Sequence, residues 1–161
     1  MKKMFIFPLV VFLFYAFASA TVTAQDFAID DPLLSALPKD VDKALKISKK
    51  DPETKACEFI GEPIDLDGDG QATDFFVTTA EACACVRTLC PIWIIRGSRQ
   101  SYALVLSYKG DGASLEKQKR KGLANIVIWA QTEEWEESTH WVFDGRTYKK
   151  GKRTFKDLSG Q

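Results

Sequence analysis

Residues 26–50 read DFAIDDPLLSALPKDVDKALKISKK, and whether this stretch is helix or strand decides the fold class. Leu33, Leu34, Leu37, Val41, Ala44, Leu45 and Ser48 recur at three- and four-residue steps, while Lys39, Asp42, Lys43, Lys46 and Lys49 fall elsewhere around the wheel. That is the period of an amphipathic helix. Proline is tolerated at a first helical position and poorly inside, so Pro38 starts a second helical segment and Asp51-Pro52 stops it. The polar side lacks the uniform basic charge of a membrane-surface helix, and the apolar stripe is expected to pack on a sheet.

From Cys57 onward, short β-branched and aromatic runs alternate with turn residues, the texture of strands. They fall at 57–64, 75–80, 92–96, 101–108, 125–131, 139–143 and 146–150. Several are apolar on both faces, which asks for a cover on each side. Asp144-Gly145 between WVF and RTY is a two-residue hairpin signal. The polar, basic stretch 109–121 reads as a long loop, and residues 151–161 as a frayed tail. The expected fold class is α+β: an N-terminal helical segment packed on a mainly antiparallel, curled sheet braced by disulfides.

The N-terminus sets the compartment. Two lysines, an apolar run from Met4 to Ala18 and small residues at Ala18-Ser19-Ala20 and Val22-Thr23-Ala24 have the order of a secretory signal peptide over residues 1–24. The run is shorter than the ~20 apolar residues of a membrane span. Residues 25–150 then form one domain, and the chain is expected in a periplasmic or extracellular space. The whole chain carries 22 Lys plus Arg and 22 Asp plus Glu, so no global field points to nucleic acid or anionic membrane.

Four cysteines, Cys57, Cys83, Cys85 and Cys90, form an even set that such a compartment pairs. If the strands around residue 70 form a hairpin, Cys57 comes near Cys83 and leaves Cys85 for Cys90. A one-residue slip exchanges Cys83 with Cys85. A redox centre or thiolate zinc site is the weaker alternative, because no histidine lies near the group.

Residues 65–74 read DLDGDGQATD. Alternating acids in a glycine-containing loop can converge on a hard cation such as calcium: Asp65, Asp67 and Asp69, with the Gln71 carbonyl and Asp74 completing the candidate set. These ten residues resemble the D-x-D-x-D-G calcium loops of FG-GAP and VCBS-type repeats, dockerins and EF-hands. The resemblance implies a stabilising calcium ion. The acid those families carry at position nine or twelve is here Thr73 or Phe76. The other reading of the stretch is an acidic turn whose carboxylates accept local backbone N–H groups.

No catalytic constellation stands out. The single histidine, His140, has no adjacent nucleophile elbow, and the glutamates of TEEWEES around Trp135 read as an exposed acidic patch rather than the spaced carboxylate pair of a glycosidase. The expectation is a non-enzymatic exported binding protein, in the class of inhibitors and immunity proteins that act on cell-wall hydrolases. Its candidate surface combines Glu134, Trp135 and Glu136 with Lys117, Lys119 and Arg120. A calcium-stabilised envelope module is the alternative, and a small hydrolase using His140 or the 133–137 carboxylates is a second.

Overall fold

The computed structural model describes residues 25–160 except Ile47 and Gln100; the leader expected over residues 1–24 lies outside the described residues. The α+β expectation is overturned. The described residues form ten strands in two five-stranded antiparallel sheets, with one six-residue α-helix. In chain order the strands are β1 (Gln25–Ala28), β2 (Ser35–Ala36), β3 (Phe59–Ile64), β4 (Asp74–Thr79), β5 (Cys90–Gly97), β6 (Tyr102–Gly110), β7 (Gly112–Arg120), β8 (Leu123–Gln131), β9 (Trp135–Phe143) and β10 (Tyr148–Asp157). Sheet one has the order β2-β3-β4-β5-β6 and sheet two β1-β7-β8-β9-β10.

Residues 26–50 explain the reversal. Phe27 belongs to β1, which pairs with β7 at Phe27↔Ala113, and its ring stacks on Phe76 at 5.4 Å. Leu33, which the helical stripe would bury, is 71% exposed. Pro32 and Pro38 exclude a continuous helix, so the periodicity survives only over α1 (Lys39–Ala44), with Pro38 at its N-cap. Val41 and Leu45 lie fully buried with Phe59, Val77, Trp93 and Ile95 on the outer face of sheet one. Each such side chain contributes about 2 kcal/mol of burial.

Between the sheets lies the main core, in which Ile64, Phe76, Ile92 and Ile94 of sheet one meet Leu115, Ile126, Ile128, Trp141 and Phe143 of sheet two. Three more expectations are corrected. The 109–121 stretch is the end of β6 and all of β7; Lys117 to Arg120 are all exposed, so no apolar alternation marks them as strand. The frayed tail is the second half of β10, paired with β9 from Arg153↔Thr139 to Asp157↔Trp135. The β9–β10 strands close at Phe143↔Tyr148, which makes a four-residue turn in place of two.

β6 runs into β7 with one residue between, passing from one sheet to the other at Gly110-Asp111-Gly112. The corner is tight. A Cβ on Gly112 would strike the Trp129 ring and lie 2.5 Å from the Phe27 carbonyl oxygen, and one on Gly110 would lie 2.8 Å from the Trp129 carbonyl oxygen. Backbone cannot yield as a side-chain tip can. Gly112→Ala is therefore expected to destabilise the protein by about 2 kcal/mol, the scale of overpacking, read as a lower urea midpoint with unchanged slope.

Candidate functional site

Hairpin turns at the two ends of the sandwich carry the candidate residues. The β3–β4 turn holds the aspartates. Asp65 organises it: Oδ1 accepts from the N–H of Gly68 at 2.7 Å and Asp69 at 3.2 Å, and Oδ2 from Gly70 at 2.9 Å. Asp67 accepts from Asp69 N–H at 3.2 Å and Asp69 from Gln71 N–H at 2.8 Å. One carboxylate oxygen from each of the three acids lies within 4.8 Å of the others, so the group can hold a metal ion.

The rest of the expected ligand set lies elsewhere in the bonding scheme. The Gln71 carbonyl accepts from Thr73 N–H at 2.9 Å. Asp74 turns inward, 4% exposed, where Oδ2 accepts from Leu66 N–H at 3.1 Å and Oδ1 from Gly97 N–H at 2.8 Å. It is a clasp between the aspartate turn and β5. Burial raises its pKa, and those two N–H bonds oppose the rise.

Lys119 reaches this turn from β7, its Nζ donating to the Asp67 carbonyl at 2.5 Å. The basic arm is thus the neighbour of the aspartates, not of Trp135. Lys117, Lys119 and Arg120 sit at the β7–β8 end of sheet two, while Glu134, Trp135 and Glu136 sit at the β8–β9 end. The nine residues of β8 between them span roughly 26 Å, so the two sets do not form one surface.

Two of the glutamates around Trp135, Glu136 and Glu137, have cross-strand partners in β10. Glu136 lies opposite Lys156, and the Glu137 carboxylate is held by Arg153. Such pairs stabilise a two-stranded ribbon and account for the second half of the acidic run. His140 Nδ1 lies 3.1 Å from Glu116 Oε1 across sheet two. The Ser138 hydroxyl donates to Glu136 and not to His140.

At the opposite end of the sandwich from the aspartates, the structure pairs Cys57 with Cys83 and Cys85 with Cys90, the connectivity the hairpin argument favoured. The register behind it differs by one residue: Ile64 faces Asp74, and a short 3-10 turn, Ala80–Ala82, carries the chain back to Cys57. Sequence reasoning missed the strain around the two bridges. Glu81, Ala82, Ala84 and Arg87 hold φ of 52°, 53°, 62° and 60°, left-handed backbone that non-glycine residues rarely adopt. Between Cys85 and Cys90, Val86 and Leu89 exchange N–H···O bonds of 2.9 and 3.2 Å, and Val86, Arg87 and Thr88 stand exposed at the tip. The C-x4-C spacing was visible; the backbone was not.

One further acid is out of place. Glu62 on β3 is 6% exposed and its Oε1 has no hydrogen-bond partner. Burial, and secondarily the Asp31 carboxylate, raise its pKa above the ordinary 4.5.

Compared with known proteins, the chain matches no family model, no curated protein and no solved structure. The likeness of the aspartate turn to calcium loops therefore rests on its own residues.

The native state holds the Glu62 proton where the unfolded chain has released it. That contribution is complete below the unfolded value near 4.5 and is lost as pH climbs through the higher folded value. Glu62→Gln, of the same shape and uncharged, is accordingly expected to match the parent near pH 4. At pH 7.5 it should exceed the parent by about 1 kcal/mol, a rise of about 3 °C in melting temperature.

Proposed function

We propose that this chain is an exported, non-enzymatic binding protein that engages a protein of the envelope or extracellular space through the Cys85–Cys90 turn. The observation that carries this reading is the backbone of the 81–87 segment. A left-handed conformation at a non-glycine residue costs about 1 kcal/mol, and four such residues stand in seven positions. Outliers of this kind persist where the surrounding structure over-determines them, and they cluster at ligand clamps. Here two disulfides lie beside and around them.

A turn held in this way loses little conformational freedom on docking. Its tip offers an arginine, a residue enriched among interface anchors, beside Val86, 59% exposed. Among the described residues, Arg87 makes no ion pair. A free guanidinium suits a carboxylate-lined cleft, and enzymes that cleave glycosidic bonds place two carboxylates in theirs. An inhibitor or immunity role against a cell-wall hydrolase is the reading this chemistry supports. Two disulfides and the lack of a membrane-spanning helix among the described residues fit export.

Immobilised, oxidised protein is expected to retain a wall hydrolase from an envelope extract and to slow its turnover. Arg87→Glu should weaken that capture at least about 30-fold, the loss of a ~2 kcal/mol anchor. Trp135→Ala and Lys119→Ala should each change it less than about threefold. Capture that survives Arg87→Glu unaltered would take the turn out of the interface.

A second reading, favoured by the convergence of Asp65, Asp67 and Asp69, is a calcium-stabilised accessory module of the envelope. Extracellular calcium sites have dissociation constants of about 0.1–1 mM, so ~10 mM calcium would add roughly 1.4–2.7 kcal/mol. A melting rise of about 5 °C that Asp67→Ala abolishes supports it. Indifference of the melting curve to calcium removes it.

A further inference from the structure

The β9–β10 ribbon runs past the end of the core. On the face of β9 that buries Phe143, Trp141 and Thr139, the next positions are Glu137 and Trp135, and their cross-strand neighbours on β10 are Phe155 and Asp157. Alternation keeps all of these on one side of the sheet. The cover ends there. Trp135 is 38% and Phe155 67% exposed, and both line a hollow of about 300 Å3 with Glu134, Lys156, Asp157 and Ser159. β10 is also an outer edge of sheet two, with β9 as its one ladder partner among the described residues. Past the bulge between Lys150 and Arg153 its register is unbroken from Arg153 to Asp157, so its outer side offers a regular row of backbone N–H and C=O groups. Cations accompany that row: β10 carries Lys149, Lys150, Lys152, Arg153 and Lys156 against the single acid Asp157. Lys149 pairs with Asp144 and Arg153 with Glu137. Among the described residues Lys152 and Lys156 make no ion pair, although Lys156 lies across from Glu136.

We propose that the β10 edge binds an acidic, extended polypeptide segment as an added strand, with an apolar side chain of that segment beside Phe155. An added strand satisfies the backbone groups of an open edge, and side chains directly across neighbouring strands meet. Phe155 faces one side of the ribbon, and Thr154 and Lys156 face the other. A segment that alternates acids with apolar residues matches both sides. A second copy of this chain fits poorly, because its β10 would set five cations against five, the repulsion by which lysine-bearing edges resist self-pairing. That repulsion leaves the exposed Phe155 and Trp135 without a role, and an apolar residue of a partner strand supplies one. Nucleic acid and anionic lipid would meet the same cations but make no strand hydrogen bonds. The surface is separate from the Cys85–Cys90 turn and does not rest on it.

Fluorescence anisotropy of the labelled peptide Glu-Val-Glu-Phe-Glu-Val-Glu, titrated with the oxidised protein, tests the assignment. Saturable binding with a dissociation constant below about 1 mM is expected. The same peptide N-methylated at every amide keeps its charge and side chains but cannot donate strand hydrogen bonds, and it should bind at least about tenfold more weakly. Lys152→Glu combined with Lys156→Glu, and separately Phe155→Ser, should each weaken binding at least about fivefold. All three side chains are exposed in the free protein, so these variants are expected to fold. Silence of the peptide overturns the proposal, as does equal binding of its N-methylated form or binding that both variants retain. Equally tight binding of an oligothymidylate or of phosphatidylglycerol vesicles also overturns it. A dimer in sedimentation that Phe155→Ser dissolves would overturn it by giving the face to a second copy.

Discussion

Sheet one is apolar on both faces. Along β5, Cys90 to Ile95 are buried without a break, so Ile92 and Ile94 need one cover and Trp93 and Ile95 another. An isolated sheet of this composition would expose two contiguous apolar surfaces, which water does not tolerate. Sheet two supplies the first cover, and α1 with the chain around it the second. Because a single chain must supply both, it crosses between layers twice. It passes once from β1 to β2 and once through Gly110-Asp111-Gly112.

Those crossings and the turns they align are where the chemistry sits. The β6–β7 corner sends β7 out toward the β3–β4 turn, so Lys119 meets Asp67 and the Asp74 clasp joins that turn to β5. The β1–β2 crossing brings the Asp31 carboxylate near enough to raise the Glu62 pKa, and Glu62 Oε1 has no hydrogen-bond partner. The disulfides lie at the other end of sheet one, beside the left-handed backbone of residues 81–87. The aspartate turn and the disulfides lie where the layered core stops, which leaves their polar groups and strained backbone free of the demand for close packing.

Much of the middle of the chain was legible. Alternation and β-branching located seven strands within a few residues, because a strand buried against another sheet must carry apolar residues at a period of two. The cysteine pairing came out of a hairpin even with the register one residue off, because a disulfide accepts a range of Cα separations. β7 and the second half of β10 were invisible for the converse reason. Lys117 to Arg120 and Lys149 to Arg153 are exposed, and a ribbon that buries little has no periodicity to display. In residues 26–50 the leucine spacing imitated a helix while two prolines forbade one.

The sequence by itself determined that four cysteines form two bridges, that alternating acids crowd the 65–70 turn, and that a double-faced apolar sheet needs covering. These are local facts, set by residue type and spacing over a few positions. Only the tertiary structure decided that the cover is a second sheet. It likewise parted Trp135 from the basic arm by the length of β8, turned Asp74 inward, and left Glu62 buried near Asp31. Each of those depends on which distant strands become neighbours, and that is settled by burial summed over the whole chain, which no single stretch encodes.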